Sequence, residues 1–184
     1  TIKPPHDFSG SFDLTVATTA SEADGDATTT KSTISVDVQG VADSPILKTS
    51  DASGNEDTDI TLEIASALTD NDGSETLSVV ISGVPEGAEL NAGTDHGDGT
   101  WTLTPDQLDG LTIKPPHDFS GSFDLTVATT ASEADGHTTT TKSTITVDVQ
   151  GVADSPTLKT SDASGNEDTP ITLDIASALT DNDG

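Results

Sequence analysis

Thr1–Gly73 is written out a second time as Thr112–Gly184, displaced by 111 residues. The copies differ at six positions: Asp26/His137, Ala27/Thr138, Ser35/Thr146, Ile46/Thr157, Asp59/Pro170 and Glu63/Asp174. Internal repetition constrains the fold before any other signal, because repeated segments are built as repeated structural units. A period of 111 residues is the size of one β-sandwich domain and several times that of a solenoid coil. The motif QGVADSP, at Gln39–Pro45 and again at Gln150–Pro156, is small and punctuated by Gly and Pro, and reads as an interdomain linker. One complete unit then occupies 42–152. Residues 1–41 are the C-terminal part of a preceding unit, and 153–184 are the N-terminal part of the next. The sequence holds Ser74–Leu111 only once, so it reads as a stretch spanning two junctions.

Within the complete unit apolar residues recur with period two. Leu77, Val79 and Ile81 form one such set; Trp101 and Leu103, Phe123, Leu125 and Val127, and Ile145, Val147 and Val149 form three more. Ile60, Leu62 and Ile64 add a shorter one. Thr-rich polar faces and turns every 8–15 residues or so predict an all-β fold, a tandem array of antiparallel β-sandwiches of about seven strands each. Pro105–Leu111 predicts a single helical turn, and no long amphipathic helix is expected.

The formal charge is −27, from 33 acids against six lysines and no arginine. Nucleic acid and anionic membrane surfaces are recognised through clustered Lys and Arg, so both are excluded as partners. No stretch approaches the roughly 20 apolar residues of a membrane span. Cysteine is absent, which removes disulfides, thiolate metal sites and a thiol nucleophile. Only 30% of the residues are hydrophobic, and with this charge the chain approaches the composition of a disordered one. Something besides the core is expected to stabilise the fold.

The acids are crowded rather than spread. Asn55-Glu56-Asp57 and Asp70-Asn71-Asp72-Gly73 flank one short apolar strand, and an extended strand places the two loops at opposite poles. In a tandem array the first loop of one unit faces the linker and second loop of the next. This predicts a junction site built from Asn55, Glu56 and Asp57 of one unit, Asp154 of the linker, and Asp181 and Asp183 of the next. Asp70 and Asp72, and Asn166, Glu167 and Asp168, are the same two loops in their other copies. Glu133 and Asp135, whose first copies are Glu22 and Asp24, add a further acidic loop. An oxygen-only set of this kind suits Ca2+, which takes 6–8 carboxylate, amide and backbone oxygens. The loops lack EF-hand spacing and the glycine-rich nonapeptide of parallel β-rolls. Asp95–Gly99 reads as an ordinary turn, and so does His117-Asp118 after its Pro pair.

The stretches NEDTPITLDIASALTDNDG, SETLSVVISGVPEGAEL, GDGTWTLTP, DFSGSFDLTV and STISVDVQGVAD resemble the immunoglobulin-like extender repeats of giant RTX adhesins of Gram-negative bacteria. The resemblance covers essentially the whole chain. It implies a secreted, cell-surface, non-catalytic stalk with calcium in its linkers. Its partners would be neighbouring repeats of the same chain, and the distal ligand would be bound by other domains. A glycan- or ice-binding module is the competing expectation. It would need an aromatic platform or a flat Thr array, whereas Trp101 falls on an apolar strand pattern and sandwich sheets twist. A general acid needs a sheltered carboxyl of raised pKa, and loop acids in solvent do not supply one, so no enzyme is expected.

Overall fold

The computed structural model describes residues 1–70 and 72–180. It is all-β, with one 3-10 turn at Pro105–Gln107, inside the segment where a helical turn is expected. The segment before the first linker is a hairpin of β1 (Gly10–Ser21) and β2 (Ala27–Val38). The stretch 42–152 holds β3 (Ile46–Thr49), β4 (Ala52–Asn55), β5 (Ile60–Thr61), β6 (Ile64–Ala67), β7 (Glu75–Ser82) and β8 (Glu89–Leu90). It continues with β9 (Thr94–Asp95), β10 (Thr100–Leu103), β11 (Thr112–Lys114), β12 (Gly121–Glu133) and β13 (Thr138–Gln150). After the second linker come β14 (Thr157–Thr160) and β15 (Ile175–Ala178).

One six-stranded sheet runs β4-β13-β12-β7-β10-β9, a three-stranded sheet runs β5-β11-β8, and β3 pairs with β6. The alternation read from sequence sets which side chains point inward. Val79 and Ile81 of β7, Leu125 and Val127 of β12, and Ile145 and Val147 of β13 are all fully buried. They join Ile60, Leu62, Leu111 and Ile113 from the smaller sheet and its flanks in one core. Trp101 belongs to that core as well. Sheets closing face to face on a shared apolar interior are compatible with a β-sandwich.

Two details depart from the expected antiparallel unit of about seven strands. Eleven strands occupy 42–152, three of them only two residues long, because turns and loops interrupt the runs around β5, β8 and β9. And β4 lies parallel to β13, with Ala52 opposite Val147 and Asn55 opposite Gln150. The cause is a change of sheet. The chain leaves β3, which is antiparallel to β6, and bends at Ser50-Asp51. There the Asp51 carboxylate accepts the Thr146 N–H at 2.9 Å, and the chain continues in the same sense along the edge of the large sheet.

The strands of the β12–β13 hairpin are the longest among the described residues. Thirteen residues at about 3.3 Å each span roughly 40 Å, with the Glu133 turn at one pole and the Gly121 and Gln150 ends at the other.

Candidate metal clusters at the two poles

At the Glu133 pole, three carboxylates converge although each is largely withdrawn from water. Asp70 is 5% exposed, and Glu75 and Glu133 are 7% exposed. An oxygen from each lies within 4.8 Å of the others. The ladder brings two of them together, because Glu75 opens β7 directly opposite Glu133, which ends β12. Asp70 arrives from the loop after β6, whose shape is held by Asx-type turns. The Asp72 N–H donates to Asp70 Oδ1 at 2.7 Å, and the Ser74 N–H donates to Asp72 Oδ1 at 2.7 Å.

The linker closes over this group. The Asp43 N–H donates to Glu75 Oε1 at 2.7 Å, and Ser74 Oγ donates to Glu133 Oε1 at 3.2 Å. Gly40 passes so near that a Cβ there would lie 2.6 Å from the Glu133 carboxyl. Asp7, in the segment before β1, forms a second group with Asp43 and Asp70, again within 4.8 Å. The Ser9 N–H reaches across the junction to Asp72 Oδ2 at 3.3 Å.

Glu75 Oε2 is buried and has no hydrogen-bond partner. Burial pushes the Glu75 carboxyl above its ordinary value of 4.5; the Asp43 N–H opposes the shift, and the charges of Asp70, Glu133 and Asp43 reinforce it. By contrast, the exposed Asp72 carboxyl is held below its usual value, chiefly by hydrogen bonding from Ser74. The exposed His6 imidazole is raised, first by its hydrogen bond to Asp7.

At the opposite pole Glu56 is 5% exposed, and it too has a buried oxygen, Oε2, with no partner. Its Oε1 accepts the Val152 N–H, and its own N–H donates to Gln150 O at 2.9 Å, so it is fastened to the second linker. Asp57, His117 and Asp118 form a third group there. The Asp118 N–H donates to Asp57 Oδ1 at 3.4 Å, and the His117 ring lies 2.7 Å from the Asp118 carboxylate. Asp7, Asp57, Asp118 and Asp168 have φ between 55° and 59°. They are the non-glycine residues with positive φ among the described residues, and they comprise two positions, each in both copies. Asp tolerates this left-handed region better than most residues, but holding it there costs free energy, and such residues gather at binding sites.

The expected site residues therefore fall into three sets. Asp70 and Glu133 come together at one pole, and Glu56 and Asp57 lie at the other. Asn55 is in β4, where its carbonyl accepts the Thr58 hydroxyl, and Asp135 is exposed and braces the hairpin turn through the His137 N–H. Asp72 shapes its loop and meets Ser9. Asp154, Asn166, Glu167 and Asp168 are exposed, and Asp181 and Asp183 lie outside the described residues. Five positions outside the expected set belong to the clusters: Asp7, Asp43, Glu75, His117 and Asp118. The repeat offers a signal for one of them, since Asp43 is the first copy of the expected Asp154. Asp118 lies in the turn expected from its sequence, and its carboxylate falls within 4.8 Å of the Asp57 carboxylate and the His117 ring in the third group.

Comparison with known proteins finds no family model and no curated protein that matches the chain.

Proposed function

We propose that this chain is a non-catalytic extender segment of an RTX-type bacterial surface adhesin. In this reading it is a run of immunoglobulin-like β-sandwich units with a 111-residue period, stiffened at each junction by Ca2+. It would lie outside the cell and hold distal adhesive domains away from the surface. Its direct partners would be neighbouring units, and ligand binding would belong to other domains.

The observation that carries the reading is the pair of buried, unpartnered carboxylate oxygens, Glu75 Oε2 and Glu56 Oε2, one at each pole beside a linker. A buried carboxylate without a partner or counter-charge is strongly unfavourable, and a cation supplies both. Lys3 lines the same cavity as Asp7, Asp43, Asp70 and Glu133, yet among the described residues the ion pairs are His6–Asp7 and His117–Asp118. The donors are all oxygen apart from the His117 ring, so a hard ion with flexible geometry fits better than zinc or copper.

Because Asp118 repeats Asp7, the two poles can be joined on paper into one complete junction. Glu56, Asp57 and Asp118 of one unit would continue into the linker Asp and into the positions of Asp70, Glu75 and Glu133 of the next. Successive groups share the Asp7/Asp118 position and Asp70. Ions along that row would tie the last turn of one unit, the linker and two loops of the next into a single body. A short linker that would otherwise hinge would lose that freedom.

The test is a thermal melt followed by circular dichroism, in several millimolar Ca2+ and again in excess chelator. An ion that binds only the folded chain stabilises it by roughly 2.7 kcal/mol per site at a hundredfold excess over its Kd, so the midpoint should rise steeply with Ca2+. Identical melts would defeat the calcium reading and leave the acidic loops as turns.

A further inference from the structure

Asp-Gly occurs six times in the chain, at Asp24, Asp72, Asp98, Asp109, Asp135 and Asp183. With no side chain on the second residue, it is the least hindered setting for attack of the backbone on an aspartyl side chain. The glycine nitrogen attacks Asp Cγ, and the new C–N bond closes a five-membered succinimide. The amide proton and the carboxyl hydroxyl leave together as water. A second water then opens the ring at either carbonyl. Opening at Cγ restores aspartate, and opening at the original main-chain carbonyl leaves the chain running through Cγ, as isoaspartate. One water leaves, one returns, and nothing is oxidised or reduced.

We propose that Asp109 is the site at which the folded chain isomerises in this way. Attack needs a glycine N–H outside any hydrogen bond and a carboxyl free to turn toward it. The two hairpin turns meet neither condition. The Gly25 N–H donates to Glu22 O at 3.2 Å, and the Gly136 N–H donates to Glu133 O at 3.0 Å. Their aspartates are held as well, Asp24 by the Asp26 N–H and Asp135 by the His137 N–H. At Asp72 and Asp98 it is the carboxylate that is fixed. Asp72 accepts the N–H groups of Ser74 and Ser9, and Asp98 accepts that of Thr100 at 3.0 Å. Asp109 has neither restraint: among the described residues, its carboxylate and the Gly110 N–H have no hydrogen-bond partner. A Cβ on Gly110 would meet nothing within 4 Å, so the nitrogen can be approached. Both residues are exposed and line an open groove with residues 61–66, which admits the water that opens the ring.

The consequence reaches the core. Leu108 and Leu111 are both buried, and the Leu111 N–H bonds Leu108 O across the turn at 3.4 Å. The Asn91 side chain clamps the same turn, donating to Gly110 O at 3.0 Å and accepting the Thr112 N–H at 2.9 Å. Isoaspartate inserts Cβ into the main chain between the two leucines, so the turn and both anchors no longer fit together. Asp109 belongs to none of the three metal groups, and the proposal does not rest on the metal reading.

The experiment ages the intact chain for several weeks, warm and at mildly acidic pH, both folded and in guanidinium. Peptide mapping with electron-transfer fragmentation reads isoaspartate at each pair. Each hydrogen bond that must break slows attack by roughly fivefold, so two slow it by roughly 25-fold. In the folded chain Asp109 should therefore lead Asp98 by the smaller factor and Asp24, Asp72 and Asp135 by the larger. In guanidinium the rates should converge. The aged parent should melt below the fresh one, whereas aged Asp109→Glu, which keeps the charge but cannot close a five-membered ring, should melt as when fresh. Isoaspartate forming at Asp24 or Asp135 as fast as at Asp109 in the folded chain would overturn the proposal. So would the same spread of rates in guanidinium, since residue order rather than the fold would then set it.

Discussion

The β1–β2 and β12–β13 hairpins are nearly the same sequence in two surroundings. Their ladders agree residue for residue: Gly10 faces Val38 as Gly121 faces Val149, and Ser21 faces Ala27 as Ser132 faces Thr138. Even a cross-strand hydroxyl contact recurs, between Thr19 and Thr29 at 2.8 Å and between Thr130 and Thr140 at 2.9 Å. Yet one hairpin has β7 and β4 on its flanks and a core beneath it, and the other does not. Strand formation and register are thus written into the local sequence, through the turn and the alternation. Burial, and with it most of the stability, comes from segments elsewhere in the chain.

The sharpest way to break the comparison is one truncation made in both copies. Ile145→Ala should destabilise the complete unit by about 3–4 kcal/mol, because it removes buried methylenes and leaves a cavity. Ile34→Ala deletes the same atoms from a half-exposed side chain and should fall within about 0.5 kcal/mol. Urea unfolding of each variant checks both values. Equal losses would mean that the first hairpin is as well packed as the second.

A smaller effect separates the buried acid cluster from the exposed loops. In metal-free solution Glu75→Gln should stabilise the fold by on the order of 1 kcal/mol, since it removes one of three crowded charges while its amide oxygen still accepts the Asp43 N–H. The same change should diminish the gain from Ca2+. The pH dependence follows from the direction of the shift. A carboxyl raised in the folded state favours folding below its unfolded pKa, and that contribution is lost as pH rises through the folded value. The metal-free midpoint of the parent should therefore fall as pH rises from about 4.5, and less of that fall should remain in the variant. Asp72 acts in the opposite sense and at lower pH, because its depressed carboxyl stabilises above 3.8 and loses that contribution on further acidification. His6 adds a loss as pH rises through its raised value, above 6.5. The difference between parent and variant isolates Glu75 from both. Coincident pH profiles would remove Glu75 from the cluster.

These contrasts also mark what could be read from residue order. Alternation in Phe123–Val127 and Ile145–Val149 shows the inward faces, because a strand has one geometric period and apolar residues follow it. The 111-residue displacement marks the repeated QGVADSP motif, and charge density singles out Glu56, Asp57 and Asp70. Glu75 was less visible, because it reads as the polar start of a strand until the ladder sets it opposite Glu133. The role of Asp118 was hidden for another reason: a left-handed Asp beside a Pro pair has the composition of any turn. The parallel run of β4 was not legible either, since alternation is the same whichever way the neighbouring strand points.

The finest comparison concerns one hydroxyl. Thr129 is fully buried in β12, and its Oγ1 has no hydrogen-bond partner, while its copy Thr18 is exposed. Valine matches threonine in shape and in β-branching, so the exchange leaves strand preference and volume nearly unchanged. At position 129 it replaces a desolvated, unpaired hydroxyl with a methyl group, which should stabilise the complete unit by about 1 kcal/mol. At position 18 the hydroxyl is hydrated in both states, and Thr18→Val should leave stability within about 0.5 kcal/mol of the parent. Paired urea melts of the two variants measure the difference directly. A loss at position 129 would mean that the hydroxyl has a partner, a buried water bridging it to the strand being the simplest, and would place a polar contact inside an apolar core.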